Sequence, residues 1–505
     1  MRIIFLFCLI LSLKGNANTI SITQLETIYT KIKQARGEIR NDFPTLDISH
    51  ETTSMASYSP REKILRVENK AIKSCQKFGT STETALAFII GHELTHFYQN
   101  HGGDFAFFMS QSIYNSNIKK EEQADIYGAM LAYWAGYKDV VQVLPNLIQT
   151  LYQDYEMIGK DTPGYPTLME RKALIDKVVK QTKILIDLYE SAKYLAVLGH
   201  HNYAGDIYQY IGGFVQTKEL FNNEAVAFLA AANKINQIGK INWAYPINID
   251  IANPLRVPSD VEQQILVKMA KASLKKAIQF DSHYFPAYLN YAIANSIIGN
   301  IANARTFLIQ AERLASQHNE RLKVELVKAI LLAQENNTTT SLKLLATIQN
   351  SGSKDLSQLA LRNKRLLAGE AEDTIPPFLK MKTEMIDGVN LNRPPIIAFN
   401  QKINLNIVEP LNPKMLQLKQ FPTSTLLFLE TYNDAYALHH SNSIGSKRWR
   451  IGANVQQIQQ SFTSEKQDII PSNNGGYFLI YPSSGLIFLI NSTNRLAEWA
   501  IYARY

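Results

Sequence analysis

The stretch TALAFIIGHELTHFYQNHGG, Thr84–Gly103, decides how the rest of the chain is read. Just ahead of it, Thr80 and Glu83 have the spacing of a capping box, which predicts a helix starting near Ser81. Ala85, Leu86, Phe88 and Ile89 supply its buried face. On that helix His92 and His96 are four residues apart, so both imidazoles project from one face. Two such nitrogens, one turn apart, can grip a single zinc ion. Glu93 is rotated about 100 degrees from His92, out of the ligand pair but within reach of a water on the metal. This is the H-E-x-x-H arrangement, with Glu93 as general base. A lone histidine in such a place is more often a satisfied core or surface residue. A chance H-E-x-x-H in a chain this long arises on the order of 1 in 100 times at average composition.

The third ligand sets the class. A metzincin would need a histidine six residues beyond His96, where Gly102 stands. His101 is one short, and on a continuing helix it points away from the pair, so we read it as structural or as a support behind the ligands. A carboxylate from a second helix is then required. NIKKEEQADIYGAMLAYWAG, Asn117–Gly136, offers Glu121 and Asp125 on one face and Glu122 on the next.

The pairing of GHELTHFYQNH with EEQADIYGAMLAYWAG resembles the M48 family of zinc peptidases, whose pattern is H-E-x-x-H followed by E-x-x-A-D on a later helix. That family includes integral-membrane CAAX-processing enzymes and soluble periplasmic proteins that join the peptidase to tetratricopeptide repeats. The resemblance implies His92 and His96 as ligands, Glu93 as base and Glu121 as third ligand. It makes Asp125 the carboxylate that accepts the second N–H of a ligand histidine. Glu122 is the alternative ligand if the frame is shifted. YPTLMERK places Pro166 and Arg171 where family members carry H-P-x-x-x-x-R, and Arg171 would support the site alongside Asp125. Tyr165 replaces the family's histidine, and the gap between His96 and Glu121 is shorter than in many relatives, which implies a smaller lid. The resemblance covers residues 60–180.

Tyr165 has two readings. Its phenol would approach the metal or stabilise the oxyanion formed during peptide-bond attack, or it would only pack against the second helix. KILRVE, Lys63–Glu68, is the one strand candidate of this region, expected as an edge strand that pairs with an extended substrate.

The remainder of the 505 residues sets the context. The chain is too long for one ordinary core. Its 46% hydrophobic and 19% charged residues are those of a globular protein, and the net charge of +8 is dispersed. No basic stripe or nucleic-acid motif appears. Met1 and Arg2 precede IIFLFCLILSL, then Lys14 and small residues at Gly15 and Ala17, the three regions of a secretory signal peptide. Cleavage after Ala17 leaves Cys75 as the one cysteine, so no internal disulfide forms. With no second long apolar run, a mature chain without a transmembrane segment is expected, periplasmic or secreted, soluble or peripheral to a membrane.

The expected fold class is α+β and multidomain. A mainly helical zincin-type peptidase domain (18–182) follows the signal peptide (1–17), then tetratricopeptide-like helical repeats (183–367), a linker (368–385) and a β-rich C-terminal α+β domain (386–505). The repeat expectation rests on Ala292, Gly299, Ala304 and Ala311, small residues spaced to let two antiparallel helices approach. Lys218–Ile235 reads as a helix of another unit, and Arg321–Gln349 as a looser pair. In the tail, PIIAF, INLNIV, TLLFLE, GYFLIYP, GLIFLI and EWAIYA read as strands. WRIGANVQQIQQSF reads as a strand end, a turn and a short helix, similar to small α+β modules of bacterial envelope lipoproteins.

Two classes of function compete. One is an exported metalloendopeptidase with one Zn2+ per chain, cleaving unfolded or extended proteins in envelope quality control, with repeats and tail engaging envelope partners. The other is a catalytically silent adaptor or chaperone-like protein that binds through its repeats and tail. Four intact metal-site residues, His92, Glu93, His96 and Glu121, favour the first.

Overall fold

The computed structural model describes residues 20–50, 55–101, 116–159, 167–235, 241–247, 260–370, 384–404, 415–430, 435–446, 448–472 and 476–505. The expected signal peptide with Cys8, the residues Tyr165 and Pro166, and most of the expected linker lie outside them. The chain forms two compact units, Met1–Ala35 with Arg40–Lys183, and Arg36–Ile39 with Ile184–Tyr505.

The first unit runs through α1 (Ile22–Arg36), β1 (Thr45–Ser49), β2 (Ala56–Ser59), β3 (Ile64–Glu68), α2 (Asn69–Gln76), α3 (Thr82–His101), α4 (Ser116–Trp134), α5 (Val140–Asp154) and the start of α6 (Leu168–Val197). The helix predicted near Ser81 begins at Thr82, behind a 3-10 turn at Gly79–Ser81 that contains Thr80. Ser81 and Thr84 both donate their hydroxyls to Asp139, a carboxylate placed at the N-terminal end of the α3 dipole. The apolar run is buried on every side, from Ala85 to Ile90, not on one face as the periodicity implied. α3 is therefore the central helix of its unit, packed by α2, α4, α5, β2 and β3.

The small sheet has the order β1-β3-β2, with β1 parallel and β2 antiparallel to β3. KILRVE is thus the central strand and not the expected edge. Leu65 and Val67 are fully buried on one face, while both flanks of β3 are paired. The edge strand beside α3 is β2.

The second unit continues with α7 (His201–Gly212), α8 (Lys218–Asn233), α9 (Asp260–Phe280), α10 (Phe285–Ile297), α11 (Ile301–Leu314), α12 (His318–Gln334), α13 (Thr338–Gln349) and α14 (Lys354–Leu367). Each helix packs on the next, and α8, α10, α12 and α14 also touch in succession, so the even-numbered helices form one layer. Short turns between α10, α11, α12 and α13 make these neighbours antiparallel. Ala292, Ala304 and Ala311 are fully buried between helices, as their spacing predicts. Gly299 has a different reason: its φ is +73° in the turn between α10 and α11, and an added Cβ would meet nothing.

The C-terminal region holds β4 (Gln401–Asn404), β5 (Met415–Gln420), β6 (Thr425–Glu430), β7 (Ala435–Ser441), α15 (Val455–Gln460), β8 (Asp468–Pro471), β9 (Tyr477–Tyr481), β10 (Leu486–Ile490) and β11 (Leu496–Arg504). They form one antiparallel sheet in the order β4-β5-β6-β7-β11-β10-β9-β8, two meanders joined through β7 and β11. One face, with Phe488 and Trp499, packs against Trp449, Phe462 and Ile458 of α15 in a common core. The other face meets α6: His440 hydrogen-bonds Ser191 at 2.9 Å, and Tyr194 stacks on His440 with ring centroids 5.4 Å apart. The expected strand at PIIAF does not form; Ile396 is 97% exposed there. Trp449 likewise stands outside any strand, although the helix after it is present. The molecule is α+β and multidomain, helical with a separate antiparallel C-terminal sheet. Among the described residues no helix is long and apolar enough to cross a membrane.

Candidate metal centre

α3 and α4 cross where both lack side chains. A Cβ on Gly128 would lie 2.6 Å from the His92 nitrogen and 2.9 Å from the Gly91 carbonyl carbon. A Cβ on Gly91 would lie 2.9 Å from the Gly128 oxygen. This close approach brings Glu121, two turns before Gly128, up to the histidines of α3.

His92, His96 and Glu121 meet there, their ligand atoms all within 4.8 Å of one another. The two Nε2 atoms are 3.1 Å apart. Glu121 Oε2 is 3.3 Å from His92 Nε2, and its Oε1 is 3.5 Å from His96 Nε2. Zinc bonds of ~2.0–2.1 Å at tetrahedral angles set ligand atoms ~3.3–3.4 Å apart. The three spacings bracket that edge length, so the residues fit a tetrahedral ion with one position left for solvent or substrate. Glu122 is not in the group.

Asp125 is fully buried behind His92. Its Oδ1 is 2.8 Å from His92 Nδ1, and Arg171 from α6 grips both its oxygens, Nη1 at 2.5 Å and Nη2 at 2.8 Å. A carboxylate at Nδ1 takes the proton there and leaves Nε2 with a free lone pair, which is the tautomer a metal requires. Burial pushes the Asp125 carboxyl up, but Arg171 and the hydrogen bond with His92 outweigh it and hold it below the usual range. Burial lowers His92, yet its hydrogen bonds with Asp125 and Glu121 prevail and raise it to about 10. So strong a demand for positive charge between two carboxylates is what a cation also satisfies. Burial lowers His96, whose ring also hydrogen-bonds the Gln99 side chain.

Glu93 lies beside the group, outside it. Burial raises its pKa to about 7, against the opposing pull of His92 and of a hydrogen bond from the Tyr58 backbone N–H. That donor comes from β2, so the edge strand and the carboxylate are in direct contact. No protein-family model matches the chain, and no curated protein matches it. What the site is must come from its own chemistry.

The structure brings His92, His96, Glu121, Asp125 and Arg171 together and sets Glu93 next to them. Tyr165 and the side chain of His101 lie outside the described residues. Four participants are not read from the sequence. Gly91 and Gly128 carry a signal in their positions, one directly before His92 and one three residues after Asp125. Gln99 sits three residues after His96 on the same helix face. The Tyr58 N–H leaves no mark, because any residue but proline supplies it.

Proposed function

We propose that this chain is an exported zinc-dependent metalloendopeptidase of the M48 type. The observation that carries it is the convergence of His92, His96 and Glu121 at tetrahedral spacing, with Glu93 alongside and the Asp125–Arg171 pair behind. When bound, zinc supplies a Lewis acid for the scissile carbonyl and lowers the pKa of water. The residues do the rest. Asp125 and Arg171 fix the His92 ring and its tautomer. Glu93 accepts the proton of the attacking water and delivers it to the leaving amine nitrogen.

The substrate would lie along β2. The Tyr58 N–H points away from β3 to reach Glu93, so by the two-residue period the polar groups of Ala56 face outward as well. An extended peptide pairing there brings its backbone to the base, and such pairing favours unfolded segments over particular side chains. The helices α7–α14 support a tetratricopeptide-like array, and the C-terminal sheet a docking module. The N-terminal sequence supports export to the periplasm or beyond.

The test is Glu93→Gln. The amide keeps the shape of the carboxylate and cannot take the proton. We expect the variant to retain its metal and its helical circular dichroism and to lose casein cleavage by at least ~100-fold, the scale of general-base catalysis. Undiminished cleavage would assign the base elsewhere. Wild-type protein that binds metal and cleaves nothing extended would favour the adaptor reading.

A further inference from the structure

Residues Ile241–Ile247, INWAYPI, form neither helix nor strand, yet they are buried from Trp243 to Ile247. They lie against the layer of even-numbered helices. Asn363 of α14 is fully buried, and both ends of its amide are spent on one backbone unit: the Ala244 N–H donates to Oδ1 at 2.8 Å, and Nδ2 donates to the Ala244 carbonyl at 2.8 Å. Asn233 of α8 donates to the Trp243 carbonyl at 2.9 Å. Tyr245 reaches Ser296 of α10 at 2.8 Å, and Ser296 donates to Gln334 of α12 at 2.8 Å. Four helices of one layer thus hold one non-helical segment, and two of them do so through its backbone.

The segment leaves part of this face unfilled. A cavity of about 340 Å³ runs beside Trp243 and Tyr245. Among the described residues its lining has no charged residue and five carboxamides, Asn242, Gln263 and Asn336 among them, with Ile297 and Ile301 as apolar walls. The Asn242 Oδ1 atom is buried without a hydrogen-bond partner. A carboxamide carries a donor and an acceptor side by side, the complement of a peptide unit. The described lining offsets no charge, so it suits a neutral ligand better than an anionic headgroup. We propose that the face made by α8, α10, α12 and α14 is a binding site for extended, uncharged peptide, with Ile241–Ile247 as its built-in occupant. The site is independent of the metal centre and of the peptidase function.

An internal occupant competes at high effective concentration, so an external peptide binds wild type poorly. The probe is a fluorescein-labelled heptapeptide of sequence INWAYPI, followed by anisotropy with the full chain. The triple variant Trp243→Ala, Tyr245→Ala, Ile247→Ala weakens the occupant and should bind the probe at least tenfold tighter than wild type. Adding Asn363→Leu should remove that gain. A folded triple variant with no gain overturns the proposal, as does a gain that survives Asn363→Leu. A gain in affinity for a neutral oligosaccharide instead of the peptide overturns it too. If the triple variant does not fold, hydrogen exchange on wild type decides. Exchange of the Ala244 amide faster than the α10 and α12 amides marks a segment that leaves its site. Exchange only in step with those helices marks it as plain core, and the proposal fails.

Discussion

At the scale of single residues, the site turns on which of two adjacent carboxylates faces the histidines. Neighbours on a helix diverge by about 100 degrees, so Glu121 and Glu122 cannot share the role. Glu121 stands 3.3 and 3.5 Å from the two imidazole Nε2 atoms, and Asp125, one turn on, supports from the same side. Glu121→Gln removes a charged ligand and should weaken metal binding by at least tenfold in a chelator competition, while Glu122→Gln should leave it within twofold. The reverse ranking would move the ligand by one residue. These positions were legible because H-E-x-x-H and E-x-x-A-D each place their side chains within one helical turn, where spacing alone fixes direction. What spacing could not give is the distance between the two helices, which depends on what lies at their crossing.

At the scale of elements, that crossing is set by Gly91 and Gly128. Real Cβ atoms do not approach backbone to 2.6 Å, so Gly128→Ala must push α4 away from His92. The shift is transmitted to Glu121 two turns earlier. We expect Gly128→Ala to lose metal affinity by more than tenfold while the chain remains helical. Unchanged affinity would mean that Glu121 does not depend on the close crossing. Helices were the legible elements, because α3, α8, α10 and α12 carry long apolar patterns. Strands were less so. β2 reads ASYS and has no fully buried residue, so no apolar alternation betrays it. β7 reads AYALHHS, and its adjacent His439 and His440, both buried in the middle of the sheet, break the apolar pattern that would mark it. PIIAF misled in the other direction: Pro394 and Pro395 lack the N–H groups that a ladder needs. KILRVE reads as a strand, but nothing in the sequence marks its neighbours β1 and β2, so a central strand reads as an edge.

At the scale of the whole molecule, the second unit carries a pH sensitivity of its own. Burial lowers His439 to about 3 and His440 to about 4, each with a serine hydroxyl, Ser424 or Ser191, as its partner. Both imidazoles are therefore neutral in the folded sheet. In the unfolded chain they take protons below their ordinary value of 6.5. Their contribution is full above that pH and falls away as the pH drops toward 4, by about 2 kcal/mol per imidazole between pH 7 and 5. The melting transition seen by near-ultraviolet circular dichroism of the sheet should thus fall on acidification from pH 7 to 5, and His440→Asn should flatten that dependence. A variant with the wild-type slope would show that other groups dominate it. The central proposal concerns the first unit: two histidines and a carboxylate at tetrahedral spacing would hold a catalytic zinc ion. The most direct measurement is elemental analysis of the purified protein, wild type beside His96→Ala. One zinc per chain in wild type, mostly lost in His96→Ala because two protein ligands hold zinc poorly against solvent, is the expected result. Wild-type protein that carries no stoichiometric metal, and takes up none when zinc is supplied, would contradict it.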